Sequence, residues 1–207
     1  MISEEDRKRL KEKFSTMPKD VVLKISRTEN CEICDDINKL MEELSSISEG
    51  RIKLEYLEKI PEEYREVGNG PVIVIDDGKI VYLGSPIGHE AWAFVETLVL
   101  KSQEDSKLED EFKSMLKNLK SDVLLETIVT PSCPYCPYSV LMANQLAIES
   151  KGVVRSKVVN AWEFQRDAEK YKVTAVPTTI IYRGKEGEIG FVGVPRLEEL
   201  LEKISTH

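Results

Sequence analysis

Apolar and polar positions follow two alternating periods along the chain, and those periods occur twice in the same order. Leu10, Phe14 and Met17 form the apolar stripe of a first helix, which Ser3 is placed to cap and Pro18 to end. Val21-Val22-Leu23-Lys24-Ile25 predicts a short buried strand. Glu29-Asn30-Cys31-Glu32-Ile33-Cys34 then opens an amphipathic helix with Ile33, Ile37, Leu40, Met41 and Leu44 on one face. Ile52 to Leu57 alternates apolar and charged residues, as a strand with one wet face does, and Pro61-Glu62-Glu63-Tyr64-Arg65 predicts a helical turn. Gly70-Pro71 leads into the apolar run Val72-Ile73-Val74-Ile75, Asp76-Asp77-Gly78-Lys79 turns the chain, and Ile80 to Leu83 returns. A helix follows from about Gly88 to Leu100.

Lys101 to Lys107 is polar and turn-rich, which places a boundary between residues 1–102 and 103–207. Beyond it, a helix over Lys107 to Leu119 precedes the strand Val123 to Val129. Thr130-Pro131-Ser132-Cys133-Pro134-Tyr135-Cys136-Pro137 hands that strand to the helix-forming run Tyr138 to Ile148. Val153 to Val159 predicts a strand, with Asn160 capping a helix through Tyr171. Val176-Pro177 then opens a second hairpin, and Pro195 to Ile204 closes the chain as a helix. From first cysteine to hairpin proline the spacing is 40 residues in one half (31 to 71) and 44 in the other (133 to 177). From that proline to the next glycine it is 13 (71 to 84) and 16 (177 to 193). Such a register implies an internal duplication. The predicted class is α/β, with two tandem units, each a mixed four-stranded sheet flanked by helices, and an extra N-terminal helix.

Composition removes several function classes. At 41% hydrophobic and 32% charged residues the chain is ordinary globular material, and a net charge of −8 argues against nucleic acid or an anionic membrane surface as partner. No apolar run approaches the roughly 18–20 residues of a membrane span. The charged start Met1-Ile2-Ser3-Glu4-Glu5-Asp6 lacks the apolar core of a secretory leader, so a cytoplasmic protein is expected. Charged residues are mostly Lys and Glu, which leans towards a thermophile.

The four cysteines form two Cys-x-x-Cys pairs, each where a strand meets a helix. A helix N-terminus carries unpaired N–H groups and about half a positive charge, which favours a thiolate there. Pro134 suits the first helical position, which puts Cys133 outward at the tip and Cys136 one turn in, nearer the core. A bridge closing so short a loop adds only about 2 kcal/mol, so a redox dithiol is favoured over a stabilising crosslink. A Cys₄ zinc site is the competing chemistry, but 99 residues (34 to 133) separate the pairs, against roughly 15–20 in zinc ribbons. No metal is expected. His89 begins a helix and His207 is terminal, so neither is a candidate ligand or base.

Strand, Cys-x-x-Cys, helix and then a proline-led hairpin resembles the thioredoxin fold. Two such units, the second with Cys133-Pro134-Tyr135-Cys136, resemble the protein disulfide oxidoreductases of thermophilic archaea and bacteria, also called glutaredoxin-like proteins. The resemblance implies cis peptides at Gly70–Pro71 and Val176–Pro177. It also implies that Cys133 attacks a substrate disulfide, that Cys136 resolves the mixed disulfide, and that Cys31 and Cys34 form a second site. Pro177 and Pro71 would limit access to the sulfurs, and Val176 and Gly70 would offer main-chain groups to a protein client. Tyr135 is either a client contact or merely an exposed inter-cysteine residue. Phe191-Val192-Gly193-Val194-Pro195-Arg196 stands where glutaredoxins carry a glycine pair and an acid, so glutathione dependence is not implied. No cofactor beyond the redox-active disulfides is implied. Expected partners are protein disulfides and a thioredoxin reductase-like flavoprotein as electron donor. The tandem also resembles the N-terminal domain of the flavoprotein that reduces bacterial peroxiredoxins, so an electron relay to a peroxiredoxin is the alternative; a non-catalytic client-binding protein is a further one.

Two residues near the sites carry sharper expectations. Glu126 is either a buried proton acceptor for Cys136 or a solvated edge position, and the edge is the expectation. Glu32, Asp35 and Asp36 put negative charge beside Cys31, which disfavours its thiolate and predicts a slower, more reducing N-terminal site.

Overall fold

The computed structural model describes residues 2–64, 68–119 and 121–205; Met1, Arg65 and His207, named above, lie outside them. Eight strands form one sheet in the order β2-β1-β3-β4-β6-β5-β7-β8. The first half supplies β1 (Val21–Arg27), β2 (Ile52–Tyr56), β3 (Pro71–Ile75) and β4 (Ile80–Leu83). The second supplies β5 (Val123–Val129), β6 (Val154–Asn160), β7 (Thr178–Tyr182) and β8 (Gly187–Val192). Each half is the mixed four-stranded sheet that the pattern predicts. The two are joined edge to edge by parallel pairing of β4 with β6, from Ile80↔Ser156 to Leu83↔Val159. Ile80, Val81, Tyr82 and Leu83 are all buried, so β4 is covered on both faces as well as paired on both sides. The outer strands β2 and β8 carry exposed Lys53, Glu55 and Glu188, and β8 is irregular beside Thr179 and Ile180, features that blunt an edge.

The helices are α1 (Glu4–Phe14), α2 (Cys34–Ile47), α3 (Glu90–Gln103), α4 (Asp110–Lys117), α5 (Cys136–Glu149), α6 (Arg166–Lys170) and α7 (Leu197–Ser205). Ser3 caps α1, its hydroxyl accepting from the Asp6 N–H at 3.1 Å. Strand alternation divides the core. Ile73, Ile75, Ile80 and Tyr82 pack with Phe14, Met41, Phe94, Leu98 and Val140, while Val72, Val74, Val81 and Leu83 share the other face with Ile180 of β7 and pack with Phe164. Because β1, β4, β5 and β6 all run the same way, both Cys-x-x-Cys turns leave the sheet at one end.

Four local expectations need correction. The polar stretch Lys101–Lys107 is not wholly a connector, since α3 runs through Gln103; Ser102 is buried there and bonds the backbone of Lys19, and Glu104 ends the helix in a left-handed conformation. Pro134 precedes the helix, and α5 starts at Cys136 with Pro137 in its first turn. Asn160 does not cap a helix through Tyr171. It ends β6, and its side-chain oxygen accepts from the Trp162 N–H at 3.1 Å in a tight turn, so α6 is only five residues long. Lastly, Gly70–Pro71 is not cis; the one cis peptide among the described residues is Val176–Pro177.

Candidate active site

At the end of β5 the chain turns so that the Cys133 N–H reaches the Thr130 carbonyl at 3.1 Å. Cys133 and Cys136 are joined as a disulfide, with Cα atoms 5.5 Å apart. The Cys136 N–H, the first of α5, donates to Cys133 Sγ at 3.1 Å, so an unpaired helix-end donor points at the outer sulfur. Cys133 is 8% exposed and Cys136 fully enclosed, so Cys133 is the more accessible of the two residues. Across from it, the Val176 carbonyl oxygen lies 3.7 Å from Cys133 Sγ, and Val176 is bound to the cis Pro177. Pro134 lies in the turn between the sulfurs, and Tyr135 projects into solvent at 66% exposure. Trp92 and Tyr138 are also exposed, with ring centroids 5.4 Å apart.

The N-terminal pair repeats the turn but not its surroundings. Cys31 and Cys34 form a disulfide, and the Cys31 N–H reaches the Thr28 carbonyl at 3.3 Å. The Gly70 carbonyl, counterpart of that of Val176, instead accepts from the Thr28 N–H (3.3 Å) and hydroxyl (3.2 Å). Residues of the second half close over this loop. Asn69 N–H donates to the Glu163 carbonyl at 2.8 Å, and a Cβ on Gly68 or Gly70 would run into Phe164 or the Glu163 carboxylate. These contacts hold Pro71 in line as the first residue of β3, opposite Arg27, which is the physical reason its peptide is trans. Arg27 also donates to Asp35 (2.6 Å) and to the Cys31 carbonyl (3.0 Å), and Lys39 pairs with Asp36 (3.3 Å). Two of the three acids beside Cys31, Asp35 and Asp36, are therefore paired with cations.

Glu163 is the clamp of that junction. Its carboxylate accepts from the Ser85 N–H (3.0 Å) and hydroxyl (2.9 Å) and from Asn160 Nδ2 (2.7 Å), and burial pushes its carboxyl above the usual range. Replacing Glu163 by Ala is expected to cost about 1–3 kcal/mol in urea unfolding, because three donors lose their acceptor. A change below about 0.5 kcal/mol would show that water replaces the carboxylate without loss.

Glu126 is not at a solvated edge. Strand β5 lies between β6 and β7, and Glu126 is 1% exposed. Lys157, its register partner on β6, approaches to 2.8 Å and also reaches Asp167 at 3.2 Å; the Tyr182 hydroxyl donates to Glu126 at 3.3 Å. Alternation places Glu126 on the sheet face of Ile128, whereas Val129 shares its cluster with Cys133 and Cys136. Glu126 is thus a buried ion-pair member facing away from the dithiol. Glu90 looks on paper like an ordinary first-turn residue of α3 yet is buried, next to His89, whose N–H donates to the Pro131 carbonyl. No pattern in the sequence marks it.

Residues 126–205 match the family model described as a thioredoxin domain. The solved protein disulfide oxidoreductase from Aeropyrum pernix k1 superposes on 99% of this chain and 92% of its own, with a TM-score of 0.86 and 33% identity. The chain belongs to the thioredoxin-fold protein disulfide oxidoreductases. Among curated relatives of this oxidoreductase, the "NADH dehydrogenase" of Ferdinandcohnia aciditolerans is 28% identical over 200 residues, 95% of this chain and 36% of that protein. The F component of the alkyl hydroperoxide reductase of Pseudomonas putida is 30% identical over 131 residues, 63% of this chain and 24% of that protein. The chain thus spans about a third or less of the length of these two relatives.

Proposed function

We propose that this chain exchanges protein disulfides with its own dithiols, reducing, forming or isomerising them. Cys133 attacks as thiolate, Cys136 resolves, and Cys31 and Cys34 form a second, less reactive site. The observation that carries this is the setting of Cys133: it is the more accessible cysteine of the pair, and its Sγ accepts a helix-end N–H at 3.1 Å and faces the Val176 carbonyl at 3.7 Å. Exchange needs an accessible, stabilised thiolate and a sheltered second thiol, and this turn supplies both. Val176 and Pro177 line the approach to Cys133, where an extended client could meet main-chain groups, a recognition mode that tolerates many sequences. The Gly70 carbonyl is already bonded to Thr28, which supports an unequal role for the first site. Two units, meeting near residues 102 and 103, each contribute one dithiol. Net charge and the lack, among the described residues, of any helix long and apolar enough to cross a membrane agree with a cytoplasmic place of action.

The electron donor is a thioredoxin reductase-like flavoprotein. The likeness to the F component of alkyl hydroperoxide reductase favours one second reading, a relay handing such electrons to a peroxiredoxin. In dithiothreitol-driven insulin reduction, the intact chain is expected to accelerate precipitation, and Cys133→Ser to lower that rate by at least about tenfold, since it removes the attacking thiolate. Cys31→Ser/Cys34→Ser is expected to retain most of the rate. Full activity without Cys133 would overturn the assignment.

A further inference from the structure

Three helices of the first half leave a groove of about 560 Å³ open on the surface. Leu40, Met41 and Leu44 of α2 line one side, spaced three and four residues apart and therefore on one helix face. Trp92 and Val95 of α3 line a second side, and Leu10 of α1 a third. The charged residues on its walls already have partners. Asp6 accepts from the Ser3 hydroxyl at 2.7 Å, Arg9 pairs with Glu5 at 2.5 Å, and Lys13 reaches across from α1 to Glu96 on α3. A hollow of this kind has no unanswered charge to offer an ion. It fits uncharged apolar side chains, and its volume lies within the roughly 300–1,000 Å³ of sites that enclose small organic groups.

Trp92 links the groove to the Cys133 turn. At the start of α3 the His89 N–H donates to the Pro131 carbonyl at 3.0 Å, two residues before Cys133, and Gly88, at φ +63°, is backed against that same carbonyl. One helical turn beyond Gly88, the Trp92 ring meets Tyr138 with centroids 5.4 Å apart. Tyr138 is in the first turn of α5, two residues after Cys136, and its N–H lies 3.2 Å from the Tyr135 carbonyl. Trp92, Tyr138 and Tyr135 are all exposed, so aromatic surface continues from between the two cysteines to the mouth of the groove. Scattered exposed apolar residues need no explanation, but a contiguous patch that runs into a groove marks a contact surface. Trp and Tyr are also the residues that most often anchor such contacts.

We propose that this groove holds an apolar segment of the client polypeptide while Cys133 reacts with the client's disulfide. The proposal rests on the exchange chemistry given above and names its preferred substrate: a protein whose target cysteine is flanked by large apolar residues, as in a chain that has not yet buried its core. The two halves then divide the work. The second half supplies the reacting sulfur, beside Val176. The first half supplies the hold, with the segment next to the client cysteine crossing the Trp92–Tyr138 pair and setting its side chains against Leu40, Met41 and Leu44. Met41, with an unbranched and polarisable side chain, suits occupants of different shapes. Selection is by apolar bulk near the cysteine and not by a sequence motif.

The test uses the full chain carrying Cys31→Ser/Cys34→Ser/Cys136→Ser, so that Cys133 alone reacts. The probes are two short synthetic peptides, each with one cysteine joined by a disulfide to a coloured aromatic thiol. One peptide carries Leu-Phe-Leu a few residues from that cysteine and the other Ser-Gly-Ser. The Cys133 thiolate bonds the peptide sulfur, and the coloured thiolate leaves and is counted. The second-order rate is expected to be at least about tenfold higher for the apolar peptide, the effect of burying a single large side chain. Trp92→Ala and Leu40→Gln are each expected to bring that ratio to within about twofold, and Trp92→Phe to restore most of it. A ratio is read because a general loss of reactivity cancels in it, so a merely disturbed fold does not move it. Added salt is expected to leave the ratio unchanged, since no free charge lines the groove. Equal rates for the two peptides in the parent, or a preference that survives both Trp92→Ala and Leu40→Gln, would overturn the proposal. So would a parent that sediments as a dimer and becomes monomeric with Trp92→Ala, because a second copy would then fill the groove. If neither peptide reacts with the parent, the exchange chemistry has failed instead. The groove is then read by itself from Trp92 emission in a Trp162→Phe background, which is expected to shift to the blue with the Leu-Phe-Leu peptide whose cysteine is replaced by serine; no shift would overturn the proposal.

Discussion

Cys136→Ser is expected to hold client proteins on Cys133 as mixed disulfides that survive electrophoresis without reductant and disappear with dithiothreitol. Cys136 is fully enclosed, so the smaller hydroxyl fits the same space and leaves the outer sulfur in place. The Cys136 N–H that donates to Cys133 Sγ is main chain and is retained, so the attacking thiolate keeps its stabilisation. Only the resolving step is lost. Adding Cys133→Ser should abolish the trapped species. Cys34→Ser is expected to trap at least about tenfold less on Cys31, because the Gly70 carbonyl is bonded to Thr28 and Glu163 with Phe164 covers the loop where a client would lie. Equal trapping at both sites would show that the covered loop opens freely and that the two sites are functional equals.

The largest effect on stability is expected at Lys157. Its ammonium is shared by the buried carboxylates of Glu126 and Asp167, at 2.8 and 3.2 Å. Lys157→Met removes the shared cation but not the charges it balances, which typically costs about 3–5 kcal/mol. Acidification, which neutralises carboxylates, is expected to narrow the difference between variant and parent. Glu126→Gln/Lys157→Met is expected to recover much of the loss, since one of the two carboxylates is then already neutral. Urea unfolding of parent, single and double variants at two pH values checks all three outcomes. A Lys157→Met variant within about 1 kcal/mol of the parent would mean that water reaches Glu126. Dithiol activity of the folded variant is expected to be nearly unchanged, because this pair lies on the sheet face opposite the cysteines.

Much of the fold was legible locally. The stripes of Ile37, Met41 and Leu44 and of Phe112, Met115 and Leu116, the proline-led runs at Pro71 and Pro177, and the Ser3 cap all became the elements they predict. Local pattern was weakest where a side chain's neighbours come from far along the chain. Glu126 breaks an apolar run, and a lone acid in a strand reads as exposed unless its cross-strand cation is known. Pro71 and Pro177 occupy matching places in the repeat, but the residue before Pro71 is Gly70, which lies against Glu163 and Phe164 so closely that a Cβ would not fit. Tyr82, Asn144, Thr97 and Ser156 form a buried hydrogen-bonded set across the two halves that no spacing rule foretells.

Two strand–Cys-x-x-Cys–helix units are written into the local sequence, because helix and strand periods, turn residues and short spacings are local properties. How those units differ depends on contacts between distant parts of the chain. Pairing β4 with β6 makes one sheet of two. That junction brings the start of α3 against the Cys133 turn and the Glu163 turn against the Gly70 loop, so each half packs on the loop beside the other half's dithiol. The reason is burial: a carboxyl such as Glu90 changes its chemistry only when another part of the chain takes away its water.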